Sequence, residues 1–206
     1  MVSERAPWSV QLFLIMCGLF WVPAGSHSLQ YNLLTMFTAD EESLSYSAQG
    51  YLDGELLFHY NSTNQILKPQ VPSLDGLVET DIWNKEHDNL KDIGQDFTVA
   101  LSKVKNQSNR NPGSHTFQGT LGCELHGGNC RGFWRYGCDG EDCLIFHPGN
   151  LTWEAAHPDA GSIRSAAETE PIDTKIQKAK VEGDCCDQLL SYLKFSQKKR
   201  AGTDLG

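Results

Sequence analysis

The chain repeats part of itself, and this repeat restricts the folds that it can adopt. The sequence SHSLQ at residues 26–30 returns as SHTFQ at residues 114–118, and Asp-Gly-Glu at residues 53–55 returns at residues 139–141. Both matches keep their order and nearly their spacing. A period of about 90 residues is too long for a solenoid repeat, so the sequence predicts two copies of one module.

The first copy predicts strands followed by a helix. Residues 27–37 and 46–60 are rich in apolar and aromatic residues, and an Asp-Gly pair at residues 53–54 is a hairpin signal inside the second run. This pattern predicts three strands, and a short fourth strand is predicted at residues 65–68. A helix is predicted over residues 74–105, because apolar residues recur there every three or four positions. These residues are Ile82, Leu90, Ile93, Phe97, Leu101 and Val104.

The second copy predicts the same order of elements. Strands are predicted at residues 114–125, 131–138 and 143–147, with an Asp-Gly hairpin turn at residues 139–140. Residues 154–195 have a helical composition but contain helix breakers, which predicts a helix in several pieces. The breakers are Pro158, Gly161, Pro171 and Gly183. Two such halves can join their strands into one antiparallel sheet with both helices on one face.

The first 24 residues are typical of a secretory signal peptide. Arg5 supplies the positive end, residues 10–22 are almost wholly apolar, and the residues that follow end at a small-residue cleavage site, Ala24. We therefore expect a protein that is secreted, or that is held at the extracellular face of the plasma membrane through a longer form or an associated partner. The formal net charge of −9 argues against a nucleic-acid partner.

The cysteines and the glycosylation sequons agree with export. Of the seven cysteines, Cys17 lies in the predicted signal peptide, and the other six imply disulfides before metal sites. Cys138 and Cys143 flank the second hairpin turn, so we expect them to lie directly opposite each other and to form a disulfide. Three Asn-x-Ser/Thr sequons predict N-glycosylation. They begin at Asn61, Asn106 and Asn150.

Several segments resemble the MHC class I-like family. Residues 25–31, with the sequence GSHSLQY, resemble the mature N-terminus of this family, and residues 106–108 followed by 113–116 resemble the junction between its first two domains. Residues 122–124 and 182–185 resemble the segments that carry two of its cysteines. The mature chain therefore resembles the α1 and α2 domains, which form the membrane-distal platform of these proteins.

The resemblance implies an α+β fold, in which an eight-stranded antiparallel sheet carries two long helices on one face. An α1-like half of four strands and a helix would occupy residues 25–112, and an α2-like half of four strands and a broken helix would occupy residues 113–197. Residues 198–206 are expected to form a short polar tail, with no α3 domain and no transmembrane segment.

The resemblance also implies a disulfide between Cys123 and Cys185, which would tie the second helix to the sheet. In the chain-entropy model, closing this loop destabilises the unfolded chain by about 4 kcal/mol. Cys130 and Cys186 then remain. The sequence leaves open whether they pair with each other, stay free or link to another chain.

Two tyrosines match positions at which peptide-presenting members of the family clamp the ends of a peptide. Tyr31 and Tyr192 are these candidates, although both can also pack as amphipathic aromatics between helix and sheet. The other clamp positions carry apolar, small or basic residues. They are Ile82, Val104, Ile163, Ala166, Ala167 and Lys180. Because each lost hydrogen bond to a charged peptide end weakens binding, conventional peptide presentation is not expected.

This departure resembles the divergent members of the family, such as the MIC proteins, the MILL proteins and zinc-α2-glycoprotein. Residues 131–136 and 139–142 look most like the last two. The resemblance implies a ligand for receptors on natural killer or T cells, bound through the exposed faces of the two helices. Three alternatives stay open: carriage of an apolar small molecule in the groove, antigen presentation by a class Ib-type molecule, and an incomplete product of a longer gene. Beta-2-microglobulin is a doubtful partner without an α3 domain.

The sequence gives no reason to predict an enzyme. It has no Gly-x-Ser-x-Gly elbow, no His-Glu-x-x-His motif, no phosphate-binding loop and no Cys-x-x-Cys pair. The seven histidines are scattered along the chain. We therefore predict no catalytic, cofactor-binding or metal-binding residues.

Overall fold

The computed structural model describes residues 25–38, 45–70, 76–108, 114–156 and 173–203. The predicted signal peptide lies outside these residues. In the described part of the chain, no helix combines the length and the apolar character that crossing a membrane requires.

Eight antiparallel strands form a single sheet in the order β4-β3-β2-β1-β5-β6-β7-β8. The two halves meet where β1 pairs with β5 along its whole length, from Ser26 opposite His126 to Thr38 opposite Ser114. Each half therefore contributes four strands, and the sheet runs without a break between them. The strands are β1 Ser26–Thr38, β2 Ser47–Leu52, β3 Glu55–Asn61, β4 Ile66–Pro69, β5 Ser114–His126, β6 Asn129–Cys138, β7 Glu141–His147 and β8 Thr152–Ala155.

Two helices cover one face of the sheet. The first helix is Asp81–Ser108. The second helix consists of an α-helical piece Thr174–Ala179, a π-helical turn Lys180–Asp184 and a longer α-helical piece Cys185–Thr203. Alternate residues of β1 face the helices and are buried, whereas those between them are more exposed, as expected for a sheet covered on one side. The predicted α+β class and the sheet-and-helices architecture are confirmed.

The first helix begins later than the sequence predicts. Its predicted start at Leu74 lies outside the described residues, and residues 76–80 form turns rather than helix. Gly76 has a left-handed backbone with φ of 88°, and both the backbone N–H and the hydroxyl of Thr80 donate to the carbonyl of Leu77. Leu77 is fully buried, so this turn fastens the start of the helix to the core. Asp81 is therefore the first helical residue.

The second helix was predicted with the wrong limits. Residues 154 and 155, assigned to the helix, belong to β8, where Trp153 is buried against Phe146 with ring centroids 5.1 Å apart. The helix also continues to Thr203, beyond the predicted end at Phe195 and into the predicted polar tail. These last turns, residues 196–203, are mostly polar or basic and lack an apolar stripe, so periodicity could not detect them.

The expectation that Cys138 and Cys143 lie directly opposite each other is wrong. Cys138 pairs with Glu141, whereas Tyr136 pairs with Leu144, so β7 contains one extra residue between these pairs. That residue is Cys143, in a β-bulge. A bulge turns the extra side chain out of the normal register, and the two cysteines bond diagonally across the hairpin.

The first half contains the same irregularity at the equivalent place. Gly50 pairs with Phe58 and Tyr51 pairs with Leu56, which leaves Leu57 as the extra residue of β3. Leu57 is buried, as Cys143 is. The bulge is therefore part of the repeated module, and a disulfide uses it in the second half only.

Candidate functional site

The space between the two helices is the place where a platform of this kind could hold a ligand. In the described residues, the cavity there measures only about 20 Å³. A cavity of this size has room for about one water molecule. Its lining comes from both helices and from the sheet below: Tyr31, Asn89, Asp92, Ile93, Leu121, Gly122, Lys180, Asp184 and Cys185.

A buried acid closes one end of this space. The Glu86 side chain on the first helix is fully buried, and its Oε2 atom accepts hydrogen bonds from two residues of the second helix. The Tyr192 hydroxyl donates at 2.8 Å, and the Gln188 side-chain nitrogen donates at 2.8 Å. The same Gln188 nitrogen donates to the carbonyl of Ile82 at 2.9 Å. We call Glu86, Gln188, Tyr192 and Tyr31 the interhelix cluster.

Burial dominates the ionisation of the cluster. It raises the pKa of Glu86 to about 7, although the side chains of Tyr192, Tyr31 and Gln188 and the charge on Lys85 act to lower it. Burial and the nearby Glu86 carboxylate also raise the pKa of Tyr31 and of Tyr192, so both phenols stay protonated. Near neutral pH, Glu86 therefore exists in both the protonated and the ionised form.

Two buried oxygens of the cluster have no hydrogen-bond partner among the described residues. They are Oε1 of Glu86 and the hydroxyl of Tyr31. The Tyr31 side chain nevertheless acts to lower the pKa of the Glu86 carboxyl group. Leaving a buried polar atom unpaired costs about 1–3 kcal/mol, which makes the cluster sensitive to substitution.

A salt bridge closes the space further along the helices. The Lys180 ammonium group donates to Oδ2 of Asp96 at 2.7 Å and to the carbonyl of Asp92 at 3.3 Å. Both side chains are mostly buried, with 17% of Lys180 and 21% of Asp96 exposed. Lys180 stands in the π-helical turn, and it spans the gap between the helices.

The structure brings the two predicted groove tyrosines to one cluster. Tyr31 lies on β1 and Tyr192 on the second helix, and each is only 1% exposed. Among the positions predicted to have lost a peptide clamp, the Ile82 carbonyl accepts a hydrogen bond from the Gln188 side chain, and Val104 is buried in the core. Lys180 makes the salt bridge just described. The remaining positions, Ile163, Ala166 and Ala167, lie outside the described residues.

An aromatic layer covers the floor beyond the salt bridge. It begins at Phe97 of the first helix and crosses β5, β6 and β8 through rings whose centroids are 5.0, 5.1 and 5.2 Å apart. The indole nitrogen of Trp153 at its end donates to the Gln177 side chain of the second helix at 2.9 Å. The rings of this layer are those of Phe97, Phe117, Tyr136 and Trp153.

Three disulfides are formed. Cys123 pairs with Cys185, and Cys138 pairs with Cys143. Cys130 and Cys186, whose fate the sequence leaves open, also pair with each other. The second helix is therefore bonded to β5 through one residue and to β6 through the next.

Two of the three predicted glycosylation asparagines have described side chains, and both are exposed. Oδ1 of Asn61 accepts a hydrogen bond from the backbone N–H of Thr63 at 2.9 Å, and Oδ1 of Asn150 accepts one from the Thr152 hydroxyl at 2.7 Å. The side chain of Asn106 lies outside the described part. Its glycosylation, like that of the other two, remains a prediction.

Glu86 and Gln188 are the residues that sequence reasoning missed. The apolar stripe of the first helix skips from Ile82 to Leu90, and Glu86 is the residue four positions from each. An acid in the middle of a buried stripe is a signal, because such a side chain must find hydrogen-bond partners. Gln188 likewise stands beside Leu189 on the buried face of the second helix.

The chain matches known proteins along most of its length. Residues 25–200 match the family model of class I histocompatibility antigen, domains alpha 1 and 2. This family is not a catalytic one. The chain is 32% identical to the human hereditary hemochromatosis protein over 173 residues, which cover 84% of this chain and 50% of that protein. It is 31% identical to bovine zinc-alpha-2-glycoprotein over 177 residues, which cover 84% of this chain and 58% of that protein.

A third relative, the mouse homolog of the hereditary hemochromatosis protein, is 30% identical over 211 residues, which cover 95% of this chain and 59% of that protein. The chain thus spans about half the length of the curated relatives that it matches. The family model covers the whole sheet, the first helix and all but the last three residues of the second helix. On this evidence the chain belongs to the MHC class I-like family, among relatives that include zinc-alpha-2-glycoprotein and the hereditary hemochromatosis protein.

Proposed function

We propose that this protein is an immune glycoprotein that acts as a ligand for a receptor on natural killer or T cells, without conventional peptide presentation. The observation that carries the proposal is the small space between the first helix and the described part of the second helix, residues 174–203. A cavity of about 20 Å³ there cannot hold an extended peptide, so we propose that the platform binds its partner through the outer surface of the helices.

The tyrosines that could clamp a peptide support this proposal. The hydroxyl of Tyr192 is already bonded to Glu86, and Tyr31 is buried beside the same carboxyl group. Gln188 closes the cluster from the second helix. A peptide could enter here only by separating the helices, which would break these bonds and the Lys180 salt bridge.

Carriage of an apolar small molecule in the space between the helices is the weaker alternative for the same reason. Ligand pockets usually measure about 300–1,000 Å³, far more than the space between the described helices. The aromatic layer fills the adjoining floor with rings of Phe97, Phe117, Tyr136 and Trp153. We therefore place the binding surface on the solvent side of the helices.

That surface is highly charged and of mixed sign. The first helix exposes both acidic and basic side chains, and so does the second helix. Surfaces of this kind favour fast, orientation-specific encounter with a protein of complementary charge. Among the described side chains, the exposed charged residues of the two helices are Asp81, Lys85, Asp88, Lys91, Asp92, Lys175, Asp184, Asp187, Lys194, Lys198 and Lys199.

The proposal includes an extracellular location. The chain has three disulfides and exposed sequon asparagines at Asn61 and Asn150, both of which suit a protein that passes through the secretory pathway. The partner we propose is the immune-cell receptor. Beta-2-microglobulin serves as a control in the test, because its binding would identify a different surface.

The test is direct binding of the purified glycoprotein to a panel of receptors from natural killer and T cells. The full chain is expressed in mammalian cells, and binding is measured by surface plasmon resonance with and without added beta-2-microglobulin. We expect saturable binding to at least one receptor. Acid treatment followed by mass spectrometry should release no set of peptides of restricted length. Failure to bind any receptor would refute the proposed function, and recovery of such peptides would make the protein a presenting molecule.

A further inference from the structure

Four sulfur atoms form one group where the second helix meets the sheet. Cys185 and Cys186 are consecutive residues, and they bond to different strands, through Cys123 on β5 and Cys130 on β6. The sulfurs of Cys123, Cys130 and Cys186 all lie within 4.8 Å of one another. Each disulfide is therefore close enough to the other for their sulfurs to exchange partners.

The two disulfides differ in their access to solvent. Cys123 and Cys185 are 0% and 5% exposed, so the inner disulfide is shielded at both ends. Cys186 is 7% exposed, but Cys130 is partly exposed near the tip of the β5–β6 hairpin. A thiol in solution therefore reaches the sulfur of Cys130 before it reaches any other sulfur of the group.

We propose that Cys130 is a modification site for a small thiol of the glutathione class, and that this modification is relayed to the inner disulfide. In the first step the external thiolate attacks the sulfur of Cys130. A mixed disulfide forms there, the Cys130–Cys186 bond breaks, and Cys186 leaves as a thiolate. The sulfur of the external thiol is oxidised and that of Cys186 is reduced, so the step needs no other oxidant or reductant and one disulfide replaces another.

In the second step the Cys186 thiolate attacks the sulfur of Cys123. A Cys123–Cys186 disulfide forms, the Cys123–Cys185 bond breaks, and Cys185 leaves as a thiolate that takes up the proton lost by the external thiol. The final state has the thiol on Cys130, one disulfide between helix and sheet, and a free Cys185. Atoms and electrons balance, since each step exchanges one sulfur–sulfur bond for another.

The second step depends on the closeness of the sulfurs rather than on burial, because Cys185 is as deeply buried as Cys186. A thiolate at Cys186 is poorly solvated, because the residue is almost fully buried. It therefore reacts with a neighbouring disulfide, either back at Cys130 or onward at Cys123. The onward path keeps the second helix bonded to β5, so the platform stays closed while the hairpin carries the new group.

The other disulfide of the chain provides an internal comparison. Cys138 is partly exposed and Cys143 is buried, the same pattern as Cys130 and Cys186. The cluster of neighbouring sulfurs found in the described residues does not include this pair. A thiol that reacts with Cys138 therefore has no second disulfide to which the exchange can pass.

The experiment uses the full glycoprotein and reduced glutathione. After incubation the sample is quenched in acid, free thiols are alkylated, and the peptides are mapped by mass spectrometry with fragmentation between Cys185 and Cys186. We expect glutathione on Cys130, the alkyl label on Cys185 and a new peptide pair that joins Cys123 to Cys186. Label on Cys186 with an intact Cys123–Cys185 bond would overturn the relay, and absence of glutathione from Cys130 would overturn the site.

A matched pair of variants tests the dependence on the outer disulfide. In the double variant C130S/C186S the inner disulfide remains, and we expect glutathione to open it at least about tenfold more slowly than in the unaltered protein. The double variant C138S/C143S removes a disulfide elsewhere and should open at the unaltered rate. Equal opening of Cys123–Cys185 in C130S/C186S and in the unaltered protein would refute the relay.

Discussion

The Glu86 carboxylate on the first helix and the side-chain amide of Gln188 on the second helix are 2.8 Å apart in a fully buried setting. Hydrogen bonds from its partners stabilise a carboxyl group at such a place, but burial makes its ionisation costly. The Tyr192 hydroxyl shares the same oxygen of Glu86. Closure of the platform and its response to pH should therefore depend on one acidic residue, which gives the first three predictions.

Replacing Glu86 by Gln should stabilise the protein at mildly alkaline pH. The amide keeps an oxygen for Gln188 and Tyr192, removes the buried charge and supplies an N–H group for the unpartnered hydroxyl of Tyr31. We expect the free energy of unfolding in urea at about pH 8 to rise by about 1–3 kcal/mol. Asp88→Asn, which neutralises an exposed acid of the same helix, is the control and should change little. A loss of stability in E86Q would show that the ionised form is the one that the fold requires.

The unaltered protein should become more stable as the pH falls from about 7 to about 4.5. Burial raises the pKa of Glu86 from 4.5 to about 7, so between these values the folded state binds more protons than the unfolded state. The free energy of unfolding must then increase as the pH falls, by up to about 3 kcal/mol across the window. Urea unfolding at several pH values measures this slope. E86Q should lose it, and an unchanged slope in E86Q would assign it to other groups.

The two buried tyrosines should respond differently to loss of the hydroxyl. Tyr192→Phe removes a donor to Glu86, and we expect it to destabilise the protein by about 1–3 kcal/mol. Tyr31→Phe removes a hydroxyl that makes no regular hydrogen bond to the described residues but still acts to lower the pKa of Glu86, so its loss should be smaller than that of Tyr192→Phe. The difference in unfolding free energy between Y31F and Y192F is the measurement. Equal losses in the two variants would mean that Tyr31 has a partner of similar strength.

The sequence could predict the sheet because its signals are local and repeated. The Asp-Gly pairs at residues 53–54 and 139–140 fix two hairpins, and the long apolar runs beside them give the central strands. Strand β8 is only four residues long and depends on the burial of Trp153 against neighbouring rings. Such a strand is decided by tertiary packing, and its sequence alone suggested helix.

The candidate site could be predicted only in part, for a similar reason. The resemblance to a known family located Tyr31 and Tyr192, but whether a groove is open depends on contacts between helices that are far apart in sequence. Glu86 and Gln188 are separated by about 100 residues, and neither belongs to a recognisable motif. The bulge that displaces Cys143 is likewise a property of strand pairing, which the hairpin turn does not specify.

The repeated hairpins should make equal and independent contributions to stability. Asp53 accepts from the backbone N–H of Ser28 and lies 2.8 Å from the imidazole of His27, and Asp139 makes the same contacts with Thr116 and His115. To compare the two hairpins, we substitute the aspartate of each by asparagine. In D53N and D139N the left-handed backbone is tolerated, since Asn also adopts it. We expect each to lower the unfolding free energy by up to about 1 kcal/mol.

The double variant D53N/D139N should show the sum of the two losses, because the hairpins lie at opposite ends of the sheet. Burial alone would raise the pKa of Asp139, but hydrogen bonds from His115 and Thr116 and the charge of His115 lower it overall. Its contribution should therefore be present at neutral pH and be lost as the pH falls below the ordinary range of an aspartate. If only one of the two variants lowered the unfolding free energy, the two hairpins would not contribute equally to stability, and the prediction would be wrong.

The π-helical turn should depend on a glycine in the sheet below it. A methyl group on Gly132 of β6 would overlap the side chain of Val181, which is fully buried at the centre of the turn. Gly132→Ala should therefore destabilise the protein by about 1–3 kcal/mol through overpacking. Val181→Ala alone should also destabilise it, because it leaves a cavity. In the double variant Val181→Ala removes only one of the overlapping atoms, because the Cβ and the backbone carbon of residue 181 would still lie too close to the added methyl group. The loss in the double variant should therefore be only somewhat smaller than the sum of the single losses.

Gly183 in the same turn supplies the matched control. A methyl group there would meet no atom within 4 Å, so Gly183→Ala should be neutral, or stabilising by up to about 1 kcal/mol through helix propensity. Urea unfolding of the four variants and the unaltered protein gives the coupling between residues 132 and 181 directly. Additive losses for G132A and V181A would mean that the second helix can move away from β6. In that case the turn would be held by its neighbouring disulfides and the Lys180 salt bridge rather than by this contact.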